Sequence, residues 1–280
     1  MRLVTYSHGG NSAAGLIVDD KIVDLGPAGY PDTLSFLRDG DKALQAASLL
    51  RPTETSPSVS DVKLLAPIPH PDKFICIGLN YRDHAEESGM AIPDTPIVFT
   101  KYPNAICGQG DEILLPPTSD QVDFEAELAF VIGKTCKNVK AADWEDVVFG
   151  YTCVHDVSAR DYQMATSQWT IGKTFDSFGP MGPSVVSKDE ITDPHNLRIE
   201  FDLNGETLQD SNTSQFIFDI PALIEYLSSV MTLEPGDVVS TGTPPGVGFA
   251  RKPQVFMKPG DEAVVRIEGI GELCNPCVAG

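Results

Sequence analysis

Three acidic residues alternate with apolar residues in the segment VDFEAELAF, residues 122–130. If this segment is a β-strand, its period of two places Asp123, Glu125 and Glu127 on one face and the apolar residues on the other. Same-face neighbours lie roughly 7 Å apart, where two unit charges repel by about 2 kcal/mol at a protein-like effective dielectric and by about 0.6 kcal/mol in water. The pattern therefore allows two interpretations: a solvated strand face, or the wall of a cleft that needs a positive charge.

A fourth acid follows in the segment YTCVHDVSARDYQ. The sequence predicts a strand over residues 147–157, with Asp156 at its end and a helix that begins at Ser158. Two glutamates and one aspartate, with no Cys or His among them, form an all-oxygen set that suits a hard divalent cation such as Mg²⁺ or Mn²⁺. Spacing alone does not bring Asp156 to Glu125 and Glu127, so both interpretations stay open at this point.

A histidine and a glutamate lie three residues apart in the segment NYRDHAEESG. The segment predicts a short helix with Asn80 as its N-cap, and His84 and Glu87 then share one helix face within reach of each other. A carboxylate beside an imidazole orients the ring and raises its basicity, as a general base acting on water requires. A polar pair on a surface helix is the alternative.

Composition excludes several classes of partner. The formal charge of −20 argues against nucleic acid and against an anionic membrane. No apolar run reaches 18 residues, and the start MRLVTYSHGG has no apolar core of a signal peptide. Six cysteines in 280 residues are too few for a disulfide framework, and the CxxC at Cys274 and Cys277 has no second pair to complete a zinc site. We therefore expect a reduced, cytoplasmic protein.

The predicted secondary structure of the chain changes near residue 66. Residues 1–66 predict a small α+β unit, in which three short strands precede one or two helices over DTLSFLRDGDKALQAASLL. Residues 70–280 predict a β-rich unit with few helices. Within it, Asn204-Gly205 marks a hairpin, and Asp219 followed by Pro221 marks the start of a helix. The predicted fold class is a β-rich α+β protein with a small N-terminal α+β domain.

Five motifs occur in order over roughly residues 70–280: GLNYRDHAEE, VDFEAELAFVIGK, GYTCVHDVSARDYQ, WTIGKTFDSFGPMGP and VVSTGTPPGVG. Together they resemble the fumarylacetoacetate hydrolase family, which includes acylpyruvases, oxaloacetate decarboxylases and dienoate isomerases or hydratases. The resemblance implies a core of mixed β-sheets rolled around one divalent metal, Mg²⁺ or Mn²⁺, in a homodimer that the N-terminal unit supports. It also implies that Glu125, Glu127 and Asp156 are the metal ligands and that Asp123 supports them.

The resemblance assigns further roles by motif. His84 and Glu87 correspond to a water-activating pair on a lid, and Lys173 corresponds to a cation that holds negative charge on a developing enolate. The residues expected to contact substrate are Arg82, Arg160, Gln163 and Thr243.

These parts fit chemistry on a small 2-oxo acid. We expect first a metal-dependent hydrolase that cleaves the C3–C4 bond of a 2,4-dioxo acid such as an acylpyruvate, with a pyruvate-type enolate as the leaving group. Oxaloacetate decarboxylation and isomerisation or hydration of a dienoate would use the same enolate. A non-catalytic protein that binds a metal and a keto acid is a further alternative, although the intact residue set argues against it.

Overall fold

The computed structural model describes residues 1–280, the whole chain. Its six α-helices are short, and we number them in chain order: α1 Thr33–Asp39, α2 Asp41–Ser48, α3 Arg82–Ser88, α4 Arg160–Gln163, α5 Thr170–Lys173 and α6 Ile220–Val230. The first nine strands are β1 Arg2–His8, β2 Asn11–Val18, β3 Lys21–Asp24, β4 Lys63–Leu64, β5 Phe74–Gly78, β6 Ile97–Thr100, β7 Ile106–Cys107, β8 Ile113–Leu115 and β9 Val122–Asp123. The other nine are β10 Ala126–Ile132, β11 Val148–His155, β12 Ser158–Ala159, β13 Gly179–Ser187, β14 Arg198–Leu203, β15 Glu206–Asn212, β16 Val238–Ser240, β17 Glu262–Ile267 and β18 Gly271–Ala279.

The strands form three sheets. The main sheet has eleven strands, nine of them in the order β3-β2-β1-β13-β11-β10-β16-β5-β6, with β4 beside β1 and β7 beside β13. A five-stranded sheet has the order β15-β14-β17-β18-β8, and β9 pairs only with β12. Three strand pairs, β13 with β7, β16 with β5 and β18 with β8, are parallel, and the others are antiparallel. The predicted β-rich α+β class with mixed sheets is confirmed.

The N-terminal residues extend the main sheet. Strand β1 pairs with β13, with Arg2 opposite Val186, so β1 to β4 continue the sheet that contains β10 and β11. Helix α1 packs against this sheet through Phe36, whose ring meets Phe149 edge-on at a centroid distance of 6.3 Å. The division of the chain at residues 66–70 stays a prediction.

Strand β10 is buried on both faces. Its even-numbered residues, such as Leu128 and Phe130, belong to the main hydrophobic core, whereas Ala129 and Val131 pack into the core shared with the N-terminal residues. Because all of residues 122–132 are buried, a solvated strand face is excluded for the acidic segment. The expected single strand is nevertheless wrong, since Phe124 and Glu125 separate β9 from β10.

Two local predictions near the site are also wrong. Ser158 does not begin a helix: it pairs with Asp123 in the β9–β12 ladder, and α4 starts only at Arg160. Asn80 is not the N-cap of α3, where Tyr81 occupies that position. The Asn80 amide instead donates to the carbonyl oxygens of Phe218 and Thr241, so its side chain joins distant segments.

Two other local predictions are confirmed. Strands β14 and β15 form a hairpin whose turn residues, Asn204 and Gly205, have φ values of 53° and 80°. Asp219 caps α6 by accepting a hydrogen bond from the Ala222 N–H at 2.9 Å.

The half-buried His195 makes stability sensitive to acid. Its Nε2 accepts a hydrogen bond from the Ile220 N–H at 3.2 Å, and burial lowers the pKa of His195 from its ordinary 6.5 despite opposing effects of Asp219 and Asp193. Below pH 6.5 the unfolded chain therefore takes up a proton that the folded chain does not, and the free energy of unfolding falls from there down to the lowered pKa of His195.

We expect His195→Gln to lose less stability than wild type between pH 7 and pH 5 in urea unfolding. His8→Gln, at an exposed strand end, controls for the loss of one imidazole. Equal acid losses in wild type and His195→Gln would contradict the assignment.

Candidate metal centre and active site

Strand pairing brings the three candidate ligands together. Glu125 precedes β10, Glu127 lies in β10, and Asp156 follows the neighbouring antiparallel strand β11. The Asp156 N–H donates to the Glu125 carbonyl oxygen at 2.9 Å, which holds the two chain segments side by side. One carboxylate oxygen from each of the three residues lies within 4.8 Å of the others, and all three residues are buried. The structure thus forms the cluster that sequence spacing left open.

Two buried lysines supply positive charge to this cluster. Lys173 Nζ lies 2.7 Å from Glu125 Oε2 and 3.0 Å from Asp156 Oδ2. Lys101 Nζ lies 2.6 Å from Asp156 Oδ1. Lys101 is not among the predicted site residues, because a lone lysine carries no sequence signal that separates a buried one from an exposed one.

Asp156 keeps one oxygen without a hydrogen bond. Lys101 Nζ donates to the carbonyl oxygens of Val157 at 3.1 Å and Phe178 at 2.6 Å, and also to that of Lys173. Since an ammonium has three N–H groups, these carbonyls take them all, and Lys101 meets Asp156 Oδ1 as a charge without a directed hydrogen bond. Asp156 Oδ1 accepts no hydrogen bond although it is buried. An oxygen in this state is suited to a cation.

Arg160 anchors the acidic segment. Its Nε and Nη2 contact Asp123 Oδ2 at 2.8 and 2.7 Å, and its Nη1 lies 2.6 Å from Glu125 Oε1. Asp123 also accepts hydrogen bonds from the N–H groups of Gly248 and Phe249. These contacts explain the break between β9 and β10, because Asp123 is bound to a loop outside the main sheet. Most Arg160 donors are therefore engaged within the protein, and a contact of Arg160 with substrate stays a prediction.

The carboxylates differ in their charge environment. Burial alone would raise the pKa of Glu125, but the nearby Lys173 and Arg160 bring it down to about 2. Burial, and then the charges of Asp156 and Glu125, raise the pKa of Glu127 well above its ordinary value. Glu127 Oε2 accepts hydrogen bonds only from the Ser240 hydroxyl and, at 3.0 Å, from the Gly242 N–H. A cation bound among the three carboxylates would relieve this repulsion, so the donor set fits a divalent metal.

The predicted His84–Glu87 contact forms on α3. His84 Nδ1 lies 3.2 Å from Glu87 Oε2, and the Gly246 N–H donates to both Glu87 oxygens, at 2.9 and 3.1 Å. Burial would raise the pKa of Glu87, but the hydrogen bonds from His84 and Gly246 outweigh it and lower the pKa. The carboxylate is thus held ionised and oriented, and Nε2 of His84 is left for another partner.

A cavity of about 240 Å³ joins the two groups of residues. The predicted site residues that line it are His84, Glu125, Glu127, Arg160, Gln163, Lys173 and Thr243. Much of the remaining wall is apolar, with Phe99, Trp169 and Phe249 among its residues. Arg82 lies outside the lining, where its guanidinium donates to the Phe216 carbonyl, so its contact with substrate stays a prediction. A larger cavity of about 360 Å³, beside the turn between α1 and α2, contains none of these residues.

Residues 73–278 match the family described as fumarylacetoacetate (FAA) hydrolase C-terminal. The chain belongs to the fumarylacetoacetate hydrolase family. It is 49% identical over 290 residues to the oxaloacetate tautomerase fahd2 of Xenopus laevis, with 99% of this chain and 90% of that protein covered. The suspected family resemblance is confirmed, and with it the expectation of an enzyme.

Two solved structures of the fumarylacetoacetate hydrolase family show the range of chemistry among similar proteins. Maleylpyruvate hydrolase from Sphingobium sp. SYK-6, in complex with manganese(II) ion and pyruvate, superimposes with a TM-score of 0.85 at 32% identity, and both chains are fully covered. The 2-hydroxyhepta-2,4-diene-1,7-dioate isomerase from Mycobacterium marinum superimposes with a TM-score of 0.79 at 36% identity, over 100% of this chain and 98% of that one. Enzymes of this family that share the fold therefore include hydrolases, isomerases and tautomerases.

The comparison corrects the expected location. The Xenopus laevis relative is labelled mitochondrial, as are relatives from rat and human, so the expectation of a cytoplasmic protein is wrong. That expectation rested on the low cysteine content and on the absence of an apolar run in MRLVTYSHGG, and neither feature distinguishes the cytoplasm from the mitochondrion. None of the six helices combines the length and the apolar composition that a membrane crossing requires.

Metal binding is expected to stabilise the folded chain. A ligand that binds only the folded state at 100 times its Kd adds about 2.7 kcal/mol to the free energy of unfolding. We expect Mn²⁺ or Mg²⁺ to raise the Tm of protein treated with EDTA, and oxalate to raise it further only when the metal is present. NaCl at matched ionic strength is the control, and an equal rise with NaCl alone would refute a specific cation site.

Proposed function

We propose that this chain catalyses the enol–keto tautomerisation of oxaloacetate at a divalent metal site. The observation that carries the proposal is the 49% identity to a tautomerase of this substrate, over nearly the full length of both chains. The cavity supports it, because carboxylates for a metal, a buried ammonium and an imidazole lie around one small space. Such a set suits a reaction that moves one proton between carbon and oxygen.

Glu125, Glu127 and Asp156 would hold the metal, for which we propose Mg²⁺ or Mn²⁺. When bound, the cation acts as a Lewis acid that polarises the 2-oxo group of the substrate. The manganese in the structure of the similar maleylpyruvate hydrolase supports this choice of hard cation.

Lys173 holds negative charge at the C2 oxygen in this proposal. Burial would lower the pKa of Lys173, but Asp156 and Glu125 raise it, so the side chain stays an ammonium. The ammonium lines the cavity, and after its hydrogen bonds to Glu125 and Asp156 it has one N–H left to donate. Its charge favours loss of the enol proton from the C2 oxygen, since a fixed cation in a buried site interacts strongly with developing negative charge.

His84 delivers the proton to carbon. Glu87 binds Nδ1 of His84, which leaves Nε2 to donate a proton to C3 while the enol O–H proton passes from the C2 oxygen to water. Water then returns a proton to Nε2 of His84, which restores the starting state. One proton is gained at carbon and one is lost from oxygen, so the substrate keeps its formula. Gln163 and Thr243 line the same cavity, and we propose that they orient the substrate carboxylate.

Hydrolysis of an acylpyruvate is the second candidate. The His84–Glu87 pair favours hydrolysis, because activation of water requires an oriented base. A simple decarboxylase needs no such base. The similarity to maleylpyruvate hydrolase also supports it. In that reaction His84 takes a proton from water, the water oxygen bonds to C4, and the C3–C4 bond breaks with its electron pair passing to the pyruvate side.

Three assays separate these reactions. The ultraviolet absorbance of enol-oxaloacetate follows tautomerisation, and pyruvate release coupled to NADH oxidation follows decarboxylation of oxaloacetate and cleavage of acetylpyruvate. Each is run with Mg²⁺, with Mn²⁺ and with EDTA. Metal-dependent loss of enol without pyruvate would establish the tautomerase, and metal-dependent pyruvate from acetylpyruvate would establish the hydrolase. Enol decay equal to the uncatalysed rate would refute the first proposal.

We also propose a homodimer, as the family resemblance implies. Light scattering on the purified chain tests it, and a monomer mass at assay concentration would contradict it.

A further inference from the structure

The loop after β16 contains the backbone group that binds Glu87. The Gly246 N–H is the only backbone donor to this carboxylate, and it contacts both oxygens. Gly246 has a φ of 101°, and a Cβ at this position would lie 2.2 Å from the Leu208 carbonyl oxygen. The loop therefore passes directly against β15, and only glycine fits there.

Arg251 fastens this loop to β15. Its Nε donates to the Gly246 carbonyl oxygen at 2.9 Å, and its Nη2 donates to the Leu208 carbonyl oxygen. One guanidinium thus spans the two backbone segments that meet at Gly246. The N–H and the carbonyl of Gly246 are then both engaged, the first by Glu87 on helix α3 and the second by Arg251.

We propose that Arg251 is a positioning residue for the His84–Glu87 pair, acting through the backbone of Gly246. Its catalytic consequence rests on the proposed function, in which His84 transfers the proton. The contacts themselves do not depend on which reaction the site performs.

The charge of Arg251 adds a second effect on the same carboxylate. The groups that lower the pKa of Glu87 are His84 on its own helix and, from the facing loop, the Gly246 N–H and the guanidinium of Arg251. Loss of Arg251 is therefore expected to raise the pKa of Glu87 as well as to loosen its anchor. If Arg251 only stabilised another part of the fold, its loss would neither raise the pKa of Glu87 nor loosen the contact of Glu87 with Gly246.

The test compares Arg251→Met, Arg251→Lys and Lys258→Met, the last being an exposed cation in the same region of the chain. Hydrogen–deuterium exchange is measured on the metal-loaded protein without substrate. In Arg251→Met we expect exchange in residues 82–90 to rise by about tenfold or more, because a hydrogen-bonded clamp to two carbonyls is lost. Exchange in β10 and β11 should equal that of wild type, as should exchange throughout Lys258→Met.

Kinetics give the second readout. In Arg251→Met we expect kcat/KM to fall by about 10- to 100-fold, because His84 is misplaced. We also expect the acid limb of the pH profile of kcat/KM to move to higher pH, because the pKa of Glu87 rises. Arg251→Lys keeps the charge and one possible carbonyl contact, so it should restore the acid limb and part of the rate. Wild-type exchange in residues 82–90 of Arg251→Met would overturn the proposal, whatever the reaction. A wild type that turns over neither substrate would instead refute the proposed function, and the exchange data would still decide the role of Arg251.

Discussion

Glu127→Gln is expected to abolish metal-dependent turnover while the metal-free protein stays at least as stable as wild type. Glu127 has no cationic partner, and its Oε2 accepts only from the Ser240 hydroxyl and the Gly242 N–H, which a glutamine oxygen can also do. Burial and two like charges raise its pKa, so removal of its charge relieves repulsion. The metal site would lose one negatively charged ligand, which weakens metal binding and stabilisation of the transition state. A loss of several kcal/mol in that stabilisation lowers the rate by about 10³-fold.

Glu125→Gln provides the matched comparison for this prediction. It should also lose metal binding, but it leaves the ammonium of Lys173 and the guanidinium of Arg160 with less negative charge nearby, so its metal-free form should be less stable than wild type. Mn²⁺ affinity from electron paramagnetic resonance and unfolding in urea with EDTA measure the two effects. Glu86→Gln, on the exposed side of α3, controls for the loss of one acid. Wild-type Mn²⁺ affinity in Glu127→Gln would remove this residue from the metal site.

Lys173→Met is expected to lower both stability and rate. Without metal, loss of the ammonium leaves Glu125 and Asp156 buried with less compensation, and removal of one partner from a buried pair costs about 3–5 kcal/mol. With metal bound, part of that stability should return, because the cation neutralises the same carboxylates. The rate should still fall by about 10²- to 10³-fold, since no group replaces the donor to the C2 oxygen.

The variant Lys101→Met distinguishes the effect on stability from the effect on rate. Lys101 is as deeply buried and also lies beside Asp156, but its N–H groups serve three backbone carbonyls and it does not line the cavity. We expect it to lose stability, because buried carbonyls lose their donor, while kcat of the metal-saturated enzyme falls much less than in Lys173→Met. Equal losses of kcat in the two variants would contradict a direct role of Lys173 at the substrate.

Short-range patterns in the sequence predicted local structure well where the contacts are local. Asp219 caps α6 through a residue three positions away, and Asn204-Gly205 closes a hairpin through its own φ values. The pattern failed where a distant group competes for the same backbone or side chain. Asn80 has the chemistry of an N-cap, but its amide binds Phe218 and Thr241 instead.

The sequence by itself determined which residue types could form the site. The order of five motifs identifies the family, and the acidic segment and the His84–Glu87 spacing supply the candidate site residues, because these features depend on residue identity and on spacings of a few residues. Nothing in the linear chain, however, places Asp156 against Glu125 or marks Lys101 as buried.

Only the tertiary structure decided how these residues combine. Antiparallel pairing of β10 with β11 brings Asp156 to Glu125, and the contact of Asp123 with the loop at Gly248 breaks the strand that the sequence predicts. The same loop, held by Arg251, carries the N–H that binds Glu87. The physical reason is that a buried charge must be compensated by whatever group the fold places within a few ångströms, and in this chain those groups come from segments far apart in sequence.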